Sequence, residues 1–262
     1  MTELAIASDG LTKRYGGDVL AVDDLDLAVE RGDVYGFLGP NGAGKTTTMR
    51  MLTTLTKPTA GTATVAGIPV TDRAALTERI GYLPAEPPVF DELTGREYLR
   101  YVARLRELDG DDVERRVETY LDRFDLDGAD RRIDGYSTGM KKKLGVIGTI
   151  LHDPDVLFLD EPTSGLDPRA ARTMRETIAE LADQEMTVFL STHILPVADE
   201  LADRIGVIHD GRLVAEGTPE ALKARAEADD GDADLETVFL NVTRQEETAG
   251  EEIEAVAESS HV

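Results

Sequence analysis

The chain reads as an α/β fold built on a largely parallel, buried sheet. Three features carry that reading. Val34-Tyr35-Gly36-Phe37-Leu38, Val156-Leu157-Phe158-Leu159 and Val188-Phe189-Leu190 are nearly continuous apolar runs, as expected of strands covered on both faces. Segments with three-four apolar spacing alternate with them, as helices between parallel strands require. A glycine-rich loop joins the first run directly to a helical stretch.

Taken in order, Leu25-Asp26-Leu27-Ala28-Val29 alternates like a half-exposed strand. The strand 34–38 enters the glycine loop, and residues 46–55 leave it as a helix. Between Thr94 and Leu108, the apolar positions Tyr98, Tyr101, Val102, Leu105 and Leu108 share one helical face. Thr94 and Glu97 form a capping box at its start. A second helix over about 111–124 follows the Asp109-Gly110 break. Together these form a helical insertion between sheet segments. Beyond Arg225 the chain changes character: residues 226–234 read as an acidic loop, 235–242 as a short ordered element, and 244 onward as a frayed tail.

At 262 residues with 41% hydrophobic composition, the chain can bury one large core with an appendage. No run approaches the roughly 20 apolar residues of a membrane helix, and Met1-Thr2-Glu3 does not open a signal peptide. The chain is therefore expected to be cytoplasmic. The absence of cysteine excludes disulfides and thiol chemistry. A net charge of −24, with lysine confined to seven positions, is read as adaptation to a high-salt cytoplasm. It leaves no broad basic face for DNA or RNA, so no nucleic-acid partner is expected.

Gly39-Pro40-Asn41-Gly42-Ala43-Gly44-Lys45-Thr46 matches the phosphate-loop pattern, in the strand-to-helix context that gives it meaning. Glycines let successive amides face one anion, and the helix N-terminus adds its dipole. Lys45 supplies a point charge to the terminal phosphates, Thr46 a hydroxyl for Mg2+, and Thr47 belongs to the same ATP-binding turn. Asp160 and Glu161 follow the strand 156–159, at the carboxyl end where such sheets bind ligands. Asp160 is expected to hold Mg2+ through water, and Glu161 to take a proton from the attacking water.

With these residues in view, the chain resembles the ATPase subunits of ABC transporters. Tyr136-Ser137-Thr138-Gly139-Met140, the strand ending at Asp160, and Glu161-Pro162-Thr163-Ser164-Gly165-Leu166-Asp167-Pro168 resemble the signature, Walker B motif and D-loop in their usual order. His193 looks like the switch histidine, and Tyr15 like the aromatic residue that stacks on adenine. The resemblance covers about residues 2–225, with 226–262 left as an acidic, partly disordered extension. It implies a P-loop NTPase of the ABC-ATPase fold: a RecA-like core, an N-terminal antiparallel β subdomain and a helical signature subdomain over about 90–150. It also implies a homodimer or heterodimer in which Ser137 and Gly139 of one copy reach the γ-phosphate held by the other. His193 would sense that phosphate, and Asp167 would contact the partner. Hydrolysis would power a separate membrane permease, with the ATPase peripheral on the inner face of the membrane.

Two departures stand out. Only Ser137 and Gly139 keep the types of the usual Leu-Ser-Gly-Gly-Gln signature, and Ala85 takes the place of the Q-loop glutamine, with Glu86 one position along. Alanine cannot ligate metal, so neither residue is assigned that role. Residues 84–88, 93–99, 136–141 and 235–240 resemble exporters of the type-2 class, drug-export systems among them. The alternatives are a soluble ABC ATPase that does not transport, and a phosphate-loop kinase; the second leaves 136–140 and 161–168 unexplained. Lys141, Lys142 and Lys143 read either as a solvated helix face or as a cationic cluster near phosphate.

Overall fold

The computed structural model describes residues 3–17, 19–108, 110–184, 186–230 and 239. Two sheets organise the chain. Strands β1 (Leu4–Tyr15), β2 (Val19–Glu30), β4 (Ala60–Val65) and β5 (Ile68–Pro69) form an antiparallel sheet in the order β2-β1-β4-β5. The second sheet has the order β10-β9-β3-β8-β7-β6, from β3 (Val34–Leu38), β6 (Ile80–Leu83), β7 (Val156–Asp160), β8 (Thr187–Thr192), β9 (Arg204–His209) and β10 (Arg212–Gly217). It is parallel from β9 through β6, and only β10 runs antiparallel to its neighbour.

Why the three central runs are apolar throughout is visible in the packing. Side chains alternate across a strand, and here both faces are covered. Leu157, Leu159, Val188 and Leu190 point into one core, which they share with Leu99, Phe124, Leu144 and Ile147. Val156, Phe158, Phe189, Tyr35 and Phe37 point into the other, with Ile6, Leu25 and Met49. Phe189 sits at the middle of the second core, its ring 5.3 Å from both Tyr35 and Phe37 and 5.6 Å from Phe158. Each such side chain contributes about 1.5–3 kcal/mol by leaving water.

Helices α1 (Lys45–Leu52), α2 (Arg73–Arg79), α3 (Gly95–Leu105), α4 (Asp111–Arg123), α5 (Thr138–Ile150), α6 (Pro168–Ala182), α7 (Leu195–Leu201) and α8 (Pro219–Asp230) complete the fold. The Thr94–Glu97 capping box forms as expected: each side chain bonds the other residue's backbone N–H. Helices α3, α4 and α5 are the helical insertion, packed on the first core.

Several boundaries differ from the sequence reading. Helix α3 ends at Leu105 rather than 108, with Glu107 in a left-handed conformation, φ 56°. Helix α1 stops at Leu52 rather than 55, because Thr54 takes a left-handed conformation, φ 63°. The alternating run 25–29 is only the end of a 12-residue strand. Residues 226–230, expected as loop, continue α8, in keeping with the good helix formers Ala226, Glu227 and Ala228. Of the short element expected over 235–242, Phe239 alone is described; it is helical and packs against the small apolar cluster that includes Leu38, Ala198 and Leu222. The expected tail from 244 lies outside the described residues.

Candidate active site

Strand β3 delivers the chain to the carboxyl edge of the parallel sheet, where the loop 39–44 turns it into α1. Two glycines there are obligatory. A side chain at Gly39 would run into the Ile208 carbonyl of β9. Gly44, the residue before α1, has φ 108°, and a β-carbon on it would lie 2.5 Å from the Ala21 carbonyl. Because Gly44 has no side chain to cap α1, the first-turn amides are left to face an anion.

Pro40, Asn41, Gly42, Gly44, Lys45, Thr46 and Thr47 line a cleft of about 190 Å³, closed on other sides by Ala21 and Glu161. Ala43 is buried behind the loop, where its carbonyl accepts the Gly211 N–H at 2.9 Å. Lys45, 6% exposed, donates to the carbonyls of Gly39 at 2.6 Å and Pro40 at 3.1 Å, and lies 3.5 Å from Glu161 Oε1. His193 Nδ1 meets the same Oε1 at 2.9 Å. The other oxygen of Glu161, Oε2, is buried and has no hydrogen-bond partner.

Below the cleft, Asp160 is 3% exposed. It accepts from Thr46 Oγ1 at 3.0 Å and Ser191 Oγ at 2.5 Å. Glu161 follows in a left-handed conformation, φ 49°, which costs a non-glycine residue about 1–3 kcal/mol. Its N–H is held by the Ser191 carbonyl at 3.1 Å. Tyr82, near the end of β6, hydrogen-bonds Arg50; burial, and then the charge of Asp160, push its phenol up to about 12. It therefore stays a neutral hydroxyl.

The expected residues thus divide into two groups. Residues 39–47, Asp160, Glu161 and His193 come together at one edge of the sheet. Tyr15, Ser137 and Gly139 do not line that cleft. Tyr15 is an exposed ring at the end of β1, with Lys13 Nζ 5.0 Å from its centroid. Ser137 caps α5, accepting the Met140 N–H at 3.2 Å; Gly139 is the second residue of that helix, and a β-carbon on it would come 3.1 Å from Ala170. Asp167, expected at a partner contact, caps α6 within its own chain by accepting the Arg169 and Ala170 N–H groups, each at 3.0 Å. Ala85 and Glu86 are exposed and away from the cleft.

The sequence reading missed Ser191 and misjudged the lysine run. Lys141 pairs with Asp91 at 2.7 Å and Lys143 bonds the Phe124 carbonyl at 2.8 Å. Lys142 is buried, donating to the Glu161 and Ser164 carbonyls. The run is therefore neither a solvated face nor a free phosphate cradle. The signal was present: 142 shares a helical face with the buried residues 145 and 146.

A parallel sheet, a glycine loop opening a helix after β3, and paired carboxylates at the end of β7, two strands across, define a phosphate-loop nucleotide hydrolase. Residues 22–164 match the family model described as ABC transporter, and the chain belongs to that family. It is 45% identical over 231 residues to "Daunorubicin resistance ATP-binding protein DrrA3" of Streptomyces coeruleorubidus, covering 87% of this chain and 73% of that one. To "ABC transporter ATP-binding protein NatA" of Bacillus subtilis it is 38% identical, over 85% of this chain and 90% of that one. A solved structure described as the ATP binding subunit of an ABC transporter superposes with a TM-score of 0.82 at 29% identity, covering 92% of this chain and all of that one. The chain is an ATP-binding, ATP-hydrolysing subunit of this family, whose members pair with membrane permeases and dimerise. Among the described residues, no helix is long and apolar enough to cross a membrane.

Proposed function

We propose that this subunit hydrolyses ATP between two copies of itself, or between itself and a similar subunit, and drives export through a separate permease. The observation that carries the reading is the convergence of Lys45, Thr46, Asp160, Glu161 and His193 on one cleft. The amides of 42–47 and the α1 dipole hold the β- and γ-phosphates. Lys45 exchanges the Gly39 and Pro40 carbonyls for phosphate oxygens.

Mg2+ fits the oxygens present. Thr46 Oγ1 and the Asp160 carboxylate lie side by side, hard donors of the kind Mg2+ takes together with substrate phosphates and waters. When bound, the ion neutralises charge developing on the phosphates. Glu161, with Oε2 unpartnered, orients the attacking water and accepts its proton. His193, anchored to Oε1, turns its second ring nitrogen to the γ-phosphate.

Ser137 and Gly139 stand at the N-terminus of α5, outside their own chain's cleft. That placement suits a γ-phosphate held by a second copy, and Tyr15 suits the adenine ring. Phe90, Tyr101 and Leu105 form an exposed apolar group on the helical insertion, with the Phe90 and Tyr101 rings edge-on at 5.5 Å. It is the surface that fits a permease on the inner face of the membrane. The drug-resistance name of the Streptomyces relative, with the resemblance at 84–88 and 93–99, supports export. The charge of −24 supports a high-salt cytoplasm.

Glu161→Gln is the test. The variant should bind ATP like the parent while turnover falls by ~10²-fold or more. Undiminished hydrolysis would remove Glu161 from its role.

A further inference from the structure

We propose that Lys142 is a positioning residue for hydrolysis, holding the backbone around Glu161 in the conformation that aims its carboxylate. Lys142 is 3% exposed, and its ammonium donates to the Glu161 and Ser164 carbonyls, each at 2.7 Å. The same Glu161 carbonyl accepts the Ser164 N–H at 3.2 Å, closing a turn over 161–164. On the other side, the Glu161 N–H is tied to the Ser191 carbonyl. Glu161 is therefore pinned at both of its peptide groups, at the point where its φ of 49° opposes what a side chain prefers.

An ammonium so far from water needs strong partners. Burial works against its charge, and the nearby Glu161 and Asp160 carboxylates work for it. Neither adjacent lysine can substitute, since each is engaged elsewhere. Lys142 also sits on the helix that begins at Ser137. It thereby fixes the base of one site relative to the residues that reach toward the other. The inference rests on the reading of Glu161 as the base.

Lys142→Met keeps most of the length of the side chain and removes its donors. Steady-state ATP hydrolysis should show kcat lower by ~10²-fold, the scale of a misplaced reacting group, with KM for ATP and the affinity for ATP unchanged. Lys142→Arg and Lys142→Gln, which restore N–H donors, should recover part of kcat. In a Glu161→Gln background, Lys142→Met should lower the single-turnover rate no further, because it acts through that carboxylate. A wild-type kcat in Lys142→Met would overturn the proposal. So would a parallel loss of kcat and ATP affinity, no recovery with Arg or Gln, or a further loss in the double variant. If the Met variant does not fold, Lys142→Gln decides: a reduced kcat at unchanged ATP affinity supports the role, and a wild-type kcat or a joint loss refutes it. Failure of the base assignment is read separately, from Glu161→Gln alone.

Discussion

Replacing Gly44 by alanine adds one methyl group to the phosphate loop, and the structure sets what that methyl meets. At φ 108° an alanine is strained wherever it points, at a cost of about 1–3 kcal/mol. Its β-carbon would also lie 2.5 Å from the Ala21 carbonyl, 3.3 Å from Ile208 Cδ1 and 3.4 Å from Val22 Cγ2. The first contact is with the backbone of a paired strand, so the loop yields rather than the sheet. In the free protein the loop relaxes by lifting away from β2. To bind ATP it must return, and the strain reappears as lost affinity of ~5- to ~150-fold. Calorimetric titration with ATP and Mg2+, in the Glu161→Gln background and high salt, measures this without turnover. Gly67→Ala is the control: its φ is 73°, but a β-carbon there meets nothing within 4 Å. It lies in the turn between β4 and β5, away from the cleft, and should lower stability while leaving ATP affinity intact. Wild-type affinity in Gly44→Ala, or equal losses in both variants, would refute the reasoning.

Two further outcomes are expected. His152 donates from Nε2 to the Ile80 carbonyl at 2.9 Å, while its buried Nδ1 has no partner; burial, followed by the nearby Arg106 charge, pushes its pKa down from 6.5 to about 4. Between those values the unfolded chain binds a proton that the folded one does not. Stability therefore falls as pH drops from 6.5 to 4, by up to about 3 kcal/mol from this group. His152→Gln should flatten that part of the curve in denaturant titrations, and an unchanged slope would contradict the assignment. Separately, with a net charge of −24, Tm should rise as salt shortens the screening length from about 30 Å at 0.01 M to about 3 Å at 1 M. A Tm independent of salt would count against the high-salt reading.

Local chemistry was legible in the chain; relations across it were not. The runs 34–38 and 156–159 could be read as buried strands because they are almost continuously apolar, and the structure shows the two cores that require it. The Thr94–Glu97 box was readable because both partners lie within one turn. By contrast, β1 carries Ser8, Asp9 and Gly10 in its middle, and its pairing with β2 shifts register there. Alternation is broken at such points, so most of this hairpin was invisible. Within the site, the phosphate loop and Asp160-Glu161 were found by pattern. Ser191 on Asp160 and Lys142 on Glu161 join residues 31 and 19 positions apart, pairings fixed by strand order and helix docking. The extent of α8 was missed because acidic residues were taken as a loop signal, although alanine and glutamate also favour helix.

The central claim is that ATP is held between two copies, each supplying Ser137 and Gly139 to the other's phosphate loop. Light scattering on Glu161→Gln in high salt tests it most directly. With ATP and Mg2+ the account predicts the mass of a dimer, reverting to a monomer when ADP replaces ATP. A monomer at every protein concentration with ATP present would contradict it.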